Sequence, residues 1–286
     1  MWFNITLAAD DSGNSDTVLA PLTHSPALIA IIIDDLGDQL VLGRRAVALE
    51  ASVTCAVMPH TRFGARLARE ANARGKEVML HLPMQPMDMQ RIAGQGEISL
   101  ENGRAQLREI LEYDLNTIPH VVGVNNHMGS LITRHPGHMG WLMDELFRRG
   151  DLFFVDSVTT PASVAYAAAL EHGVPAARRH VFLDDDPSAE AISAQFERLK
   201  KEATARGYAV GIGHPYPTTL AFLETAFKDA WQNSEFRIVP VSTIVSLLGQ
   251  GVLTREQEAN NIIAREQSNL APSQQHSIDN RQVHAR

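Results

Sequence analysis

Short apolar runs rich in β-branched residues alternate along this chain with longer segments of helical period, which predicts an α/β protein built on a parallel sheet. Roughly seven or eight such β-then-α units follow one another in series. A second observation chooses between an open sheet and a barrel. Asp34, Asp35, His81, Asn126, His127, Asp156 and His214 all fall at the C-terminal ends of predicted strands. Polar groups spread over the ends of several strands converge at the mouth of a barrel, whereas an open doubly wound sheet gathers its ligand contacts at one switch point. The expected fold is a (β/α) barrel.

Each element has its own warrant. The run "ALIAIIIDD" is apolar without alternation until its two carboxylates, as for a strand buried on both faces. "SVTCAVMP" and "KEVMLHLPM" give the second and third strands, separated by "RFGARLAREANARG", a helical pattern with Gly75 placed to end it. "SLENGRAQLREILEYDLNTIP" reads as a helix with Ser99 or Asn102 available as N-cap. "VVGVNNHMGS" and "LFFVDSVT" are the fourth and fifth strands, "RHVFLDD" the sixth and "YAVGIGHPYP" the seventh, with helices between them. "FRIVPVSTIVSLL" closes the series with a short strand and a helix. Residues 1–26 read as a flexible lead-in or signal remnant, residues 27–250 as the barrel domain, and residues 251–286 as a polar, largely disordered tail.

Composition narrows the chemistry. The 286 residues carry 33 acidic and 25 basic side chains, a formal charge of −8, which argues against nucleic acid as a partner. No apolar run reaches the roughly 20 residues of a membrane span. With 12 His and 1 Cys, any metal site must use His and carboxylate rather than sulfur. Cys55 lies inside a predicted strand and reads as core. The chain has no nucleophile elbow of the G-x-S-x-G type and no phosphate loop, and "GQG" at Gly94–Gly96 is too little for a dinucleotide fingerprint. Carboxylate plus two His is a common set for zinc or a similar divalent ion with open positions. A free carboxylate and a free His alongside supply base and acid for amide or ester hydrolysis.

Other features have plainer readings. Met139, Met143 and Trp141 belong to helix core and surface. Met79, Met84, Met87 and Met89 either fill the core or line a substrate groove. The run "LDDDP" at Asp184–Pro187 reads first as a helix N-cap, with a second metal or substrate contact as the sharper alternative.

Taken in order, "IIIDDLG", "AVMPH", "GKEVMLHLPM", "VGVNNHMGS", "FFVDSVT", "VFLDDD" and "IGHPYP" resemble the divergent polysaccharide deacetylase family, bacterial envelope proteins related to the NodB-type carbohydrate deacetylases. The resemblance runs from about Ala27 to Leu248. It implies a distorted barrel of about seven parallel strands and a metal-dependent site. It also implies roles: Asp34 as general base, Asp35 as a metal ligand, His214 as general acid, and Asp156 as support for the base. His81 matches the first His of the family's H-x-x-x-H motif, but Gln85 stands where the second should be, so His127 on the next strand is the replacement ligand. The family's strand-four arginine has no counterpart in "NNHMGS". Asn126, Met128 and Ser130 are the expected substrate contacts.

Two readings of function follow. The leading one is a zinc-type hydrolase removing N-acetyl groups from an envelope glycan, periplasmic or secreted. The alternative is a non-catalytic glycan-binding or scaffold protein that keeps the fold, motivated by the missing His and arginine. A metal-dependent phosphoesterase fits less well, because Lys and Arg are absent from the strand ends.

Overall fold

The computed structural model describes residues 26–230 and 235–251 together with Leu253, so almost all of the expected lead-in and tail lies outside the described residues. The chain alternates as expected. β1 (Ala27–Leu36), α1 (Leu40–Ala48), β2 (Thr54–Val57), α2 (Gly64–Ala73), β3 (Glu77–Met84) and α3 (Arg104–Thr117) make the first half. β4 (Val121–Met128), a 3-10 turn (Ile132–Arg134), α4 (Pro136–Arg149), β5 (Phe153–Asp156) and α5 (Ala165–Glu171) follow. β6 (Ala176–Arg178), β7 (Val181–Phe182), α6 (Ala189–Arg206), β8 (Tyr208–Gly213), α7 (Pro217–Ala230), β9 (Phe236–Ile238) and α8 (Val241–Gly249) complete the described chain.

All strand pairs are parallel, in the order β6-β5-β4-β3-β2-β1-β8-β7, with β9 added to the start of β1. The sheet curls into a half-barrel. Its two ends, β6 and β7, do not pair, yet they are neighbours in sequence. Arg179 N–H donates to the Asp156 carbonyl on one side and His180 N–H to the Val210 carbonyl on the other, both at 2.8–2.9 Å, so one backbone crossing spans the gap. The sixth strand expected over "RHVFLDD" is β7, and Ala176–Arg178 just before it forms a further short strand, β6. Ala176–Arg178 is too short to show a period, and the polar Arg179–His180 pair marks the crossing.

The apolar run of β1 is explained by two cores. Ile29, Ile31 and Ile33 pack with buried residues of α1–α7 on one face of the sheet. Ala30 and Ile32 join Ala56, Met79, Val155, Ala177, Val210 and Ile212 on the other, where Val241, Ile244 and Val245 of α8 fill the concave side. The N-terminus of α8 is fixed where β2 and β3 begin. Val241 N–H donates to Thr54 Oγ1 at 3.1 Å, and Ser242 N–H donates to Glu77 Oε1 at 3.2 Å. Thr54 Oγ1 itself donates to the Glu77 carboxylate at 2.9 Å. A carboxylate facing the first turn of a helix also suits the helix dipole. α8 therefore seals the N-terminal end of the strands and leaves the opposite end for chemistry.

The caps differ in detail from the sequence expectation. Gly75 follows α2 in the left-handed region, φ 70°, as expected. α3 begins later than Ser99 or Asn102. Those two bond each other, and Gly103 stands as N-cap, with its N–H donating to Gln106 Oε1 at 3.0 Å.

The plug makes a stability prediction. Ile244→Ala removes a fully buried side chain from the concave core and should cost about 2–5 kcal/mol, read as a lower midpoint in urea unfolding. A variant as stable as wild type would show that α8 is peripheral to the fold.

Candidate metal centre

The centre begins with a turn. Side chains alternate along a strand, so adjacent carboxylates should point apart. β1 breaks that alternation: its pairing with β2 shifts register between Ile33 and Leu36, and Asp35 has φ 55°. A left-handed residue other than glycine is uncommon and costs about 1–2 kcal/mol, and here it brings Asp34 and Asp35 to one place. Gly37 completes the exit, since a Cβ there would lie 2.0 Å from Thr61 Oγ1.

His81 on β3 and His127 on β4 meet Asp35. Asp35 Oδ1 stands 3.1 Å from His81 Nε2 and 2.9 Å from His127 Nδ1, and the two nitrogens are 3.1 Å apart. The oxygen is buried and has no hydrogen-bond partner of acceptable geometry, although both nitrogens are near. Three ligand atoms therefore converge on a common point rather than pairing off. Ligands of a tetrahedral zinc ion, at bonds of about 2.0–2.2 Å, stand about 3.3 Å apart. The donor set of two imidazoles and one carboxylate fits such an ion and leaves positions for water and substrate. Among the described residues these three form the one His, Cys and carboxylate cluster with this geometry.

The surroundings are charged and dry. Asp34 is almost fully buried; its Oδ1 accepts from Asn125 Nδ2 at 2.8 Å, and its Oδ2 lies 3.6 Å from His81 Nε2. Burial pushes the Asp34 carboxyl up, with His81 and His214 opposing only in part. Burial would raise Asp35 as well, but His127 and His81 beside it hold its carboxyl well below the usual carboxylate range. His81 Nδ1 bonds Asn125 Oδ1 at 2.9 Å.

His214 follows β8 on the opposite flank. Its Nδ1 is 2.9 Å from Asp184 Oδ1, its backbone N–H donates to Asp184 Oδ2 at 2.6 Å, and Thr219 Oγ1 donates to that same oxygen at 2.8 Å. With Nδ1 held, Nε2 faces the centre, 3.9 Å from Asp35 Oδ2. Burial alone would lower the imidazole, but Asp184, with Asp34 and Asp35 beyond, lifts it to about 9. The ring carries a proton at neutral pH. Tyr216 stacks against it at 5.4 Å between centroids and 27° between planes, and is 42% exposed.

The structure gathers Asp34, Asp35, His81, His127 and His214, and gives the remaining expected site residues other work. Asp156 does not support Asp34. Its Oδ1 accepts from Val158 N–H, and its Oδ2 from Ser163 Oγ and Tyr166 N–H, at 2.8–3.3 Å, so it ties down the β5–α5 loop. Asn126 is a buried loop strut rather than a substrate contact: Oδ1 accepts from Ser157 N–H and Nδ2 donates to the Met128 carbonyl. That Met128 carbonyl also accepts from Thr159, and Ser130 Oγ accepts from Met87 N–H. Gln85 anchors a loop, its carbonyl accepting from Leu131 and Ile132 and its Oε1 from Leu100 N–H. Met79 and Met84 are core, whereas Met87 and Met89 are exposed; Met139 and Met143 are core. Burial pushes the Cys55 thiol up to about 12, which leaves it inert.

Sequence reasoning left four residues without the role the structure gives them. Within "LDDDP", Asp186 does turn into the cap at Ser188, but Asp184 holds His214. Asn125 lies two residues before His127, and strand alternation could have placed both on one face. Tyr216 sits in "GHPYP" next to the acid. Arg179 supplies a cation at a strand end: its guanidinium donates to the carbonyls of Ser157 and Val158 and packs over Phe182 at 4.6 Å. Those bonds occupy it in bracing the loop.

A curled parallel half-barrel with a carboxylate–imidazole centre at the C-terminal ends of its strands defines the class of α/β protein to which this one belongs. More narrowly, residues 31–245 match the family described as divergent polysaccharide deacetylase, and the chain belongs to that family. It is 31% identical over 244 residues to an uncharacterized protein of Haemophilus influenzae, covering 85% of this chain and 82% of that one. It is 35% identical over 203 residues to the uncharacterized protein YibQ of Escherichia coli, covering 70% of this chain and 63% of the relative. The crystal structure of an uncharacterized protein from Agrobacterium tumefaciens shares the fold, with a TM-score of 0.73, 20% identity, and coverage of 77% of this chain and 89% of that one.

Two outcomes test the centre. Wild-type protein dialysed against Zn²⁺ should retain one ion per chain by elemental analysis, and a His81→Ala, His127→Ala double variant none; equal retention would remove the ligand assignment. Asp184→Asn should drop the His214 pKa from about 9 toward the ordinary value of about 6.5, followed by NMR titration. An unmoved titration would show that Asp184 does not set the charge of the ring.

Proposed function

We propose that this protein is a metal-dependent hydrolase that removes N-acetyl groups from a cell-envelope polysaccharide, working in the periplasm or outside the cell. One observation carries the reading. The buried, unpartnered Asp35 Oδ1 and its two imidazoles are flanked on one side by a buried carboxylate and on the other by a protonated His. Membership of a polysaccharide deacetylase family supports the substrate class. None of the helices among the described residues is long and apolar enough to cross a membrane.

A divalent ion held by Asp35, His81 and His127 would acidify a water molecule and polarise the amide carbonyl. The protein's own groups divide the proton traffic. Asp34 takes the proton from the attacking water, its burial giving it more basicity than an exposed carboxylate. His214 gives its Nε2 proton to the leaving amine nitrogen, and Asp184 keeps the ring oriented while it changes charge. The site raises both groups: Asp34 becomes a stronger base than an exposed carboxylate, and His214 keeps its acidic proton to neutral pH. The exposed Tyr216 ring offers an apolar face beside the acid, suited to the flat face of a sugar.

Acetate release from N-acetylated chito-oligosaccharides or peptidoglycan fragments tests the proposal. Asp34→Asn should lower kcat by about 10²- to 10⁴-fold while zinc content stays at the wild-type level. Tyr216→Ala should raise KM more than it lowers kcat. Retained glycan affinity with no acetate release by wild type would overturn the hydrolase reading and favour a glycan-binding protein on the same fold.

A further inference from the structure

One side chain touches both halves of the centre. Asn125, on β4, has no solvent exposure. Its Nδ2 donates to Asp34 Oδ1 at 2.8 Å and to Ser157 Oγ at 3.3 Å, and its Oδ1 meets His81 Nδ1 at 2.9 Å. The carboxamide can sit only one way round. Turned over, it would set its oxygen against the Asp34 carboxylate, two acceptors face to face in a buried site.

We infer that Asn125 is a positioning residue that selects, with one carboxamide, the working atom of the base and the working atom of a metal ligand. Because Oδ1 of Asn125 only accepts, His81 Nδ1 must carry a hydrogen, so in the neutral ring it is Nε2, facing Asp35 and His127, that has the lone pair free to ligate. Because Asn125 Nδ2 fills Asp34 Oδ1, the oxygen left to take a proton is Oδ2, the one facing the centre at 3.6 Å from His81 Nε2. Ligand partners that fix an imidazole in this way set metal affinity as well as ring orientation. Ser157 Oγ accepts the second amide hydrogen, and the Ser157 carbonyl is held by Arg179, so the orientation is anchored from the next strand. The inference rests on the hydrolase reading only for the consequence at Asp34; the consequence at His81 stands without it.

The two contacts can be separated by substitution. Asn125→Asp keeps an oxygen facing His81 and replaces the donor facing Asp34 by an acceptor. Asn125→Leu removes both. Zinc affinity, measured by chelator competition, should fall about 10- to 100-fold in Asn125→Leu and stay within about threefold of wild type, or rise, in Asn125→Asp. Acetate release should fall at least about 100-fold in both. A third measurement needs neither metal nor substrate. In metal-free protein labelled with ¹⁵N-histidine, at alkaline pH where the rings are neutral, the His81 signal (identified by its loss in His81→Gln) should show the Nδ1–H tautomer. Asn125→Leu should lose that preference. Circular dichroism of each variant confirms that it folds. Unchanged zinc affinity in folded Asn125→Leu, or an Nε2–H His81 in wild type, would overturn the inference at His81. Wild-type acetate release by Asn125→Asp would overturn it at Asp34. Absence of acetate release by wild type itself would instead count against the hydrolase reading, with the zinc and tautomer measurements still deciding the positioning of His81.

Discussion

The left-handed turn at Asp35 is the constraint on which the centre depends. Without it, the pleat of β1 would send one of the two carboxylates to the helix side of the sheet, into an apolar core that could not pair it. With it, both reach the concave end, and the strained residue itself becomes the oxygen on which His81 and His127 converge. Strain of this kind persists only where its surroundings over-determine it. Here the surroundings are the β1–β2 register shift before the turn and the crowded Gly37 after it.

The electrostatics are organised as two buried trios sharing one space. Asp34 with Asn125 and His81 stands on one flank, and His214 with Asp184 and Thr219 on the other. Burial works against charge at Asp34, Asp35 and His214, and what differs is the company each keeps. Asp35 lies between two imidazoles and stays ionised; His214 has a carboxylate on one ring nitrogen and stays protonated. Asp34, whose direct partner is a neutral amide, is left the most basic of the centre's two carboxylates.

Much of this was legible in the sequence, and the reasons it was or was not are physical. Asp34, Asp35, His81, His127 and His214 stood out because each ends an apolar run, where a polar group needs a partner. Asn125 and Asn126 could not be ranked by composition, being identical neighbours; the pleat gives one to the centre and the other to the loop. Asp156 ends its strand as convincingly as Asp34 does, and only the path of the β5–α5 loop decides that its oxygens turn to backbone N–H groups. Asp184 was hidden in an acidic run whose last member, Asp186, accepts from the Ser188 N-cap of the following helix. The extra short strand β6, which lies just before the expected sixth strand, escaped for a different reason. Where a barrel fails to close is a property of how far the whole sheet curls, which no local window contains.

The plug at the foot of the barrel has a consequence for how the chain can assemble. β1 is made well before β8, β9 and α8, yet it pairs along its length with β8 and at its start with β9, and its concave face waits for α8. Contacts between segments so distant in sequence are slow to form. Until residues 241–249 are available, Ala30, Ile32, Ala56 and Met79 line an open apolar trough rather than a core. A partly synthesised chain therefore has no finished barrel to fold into, and completion of α8 is the event that commits β1.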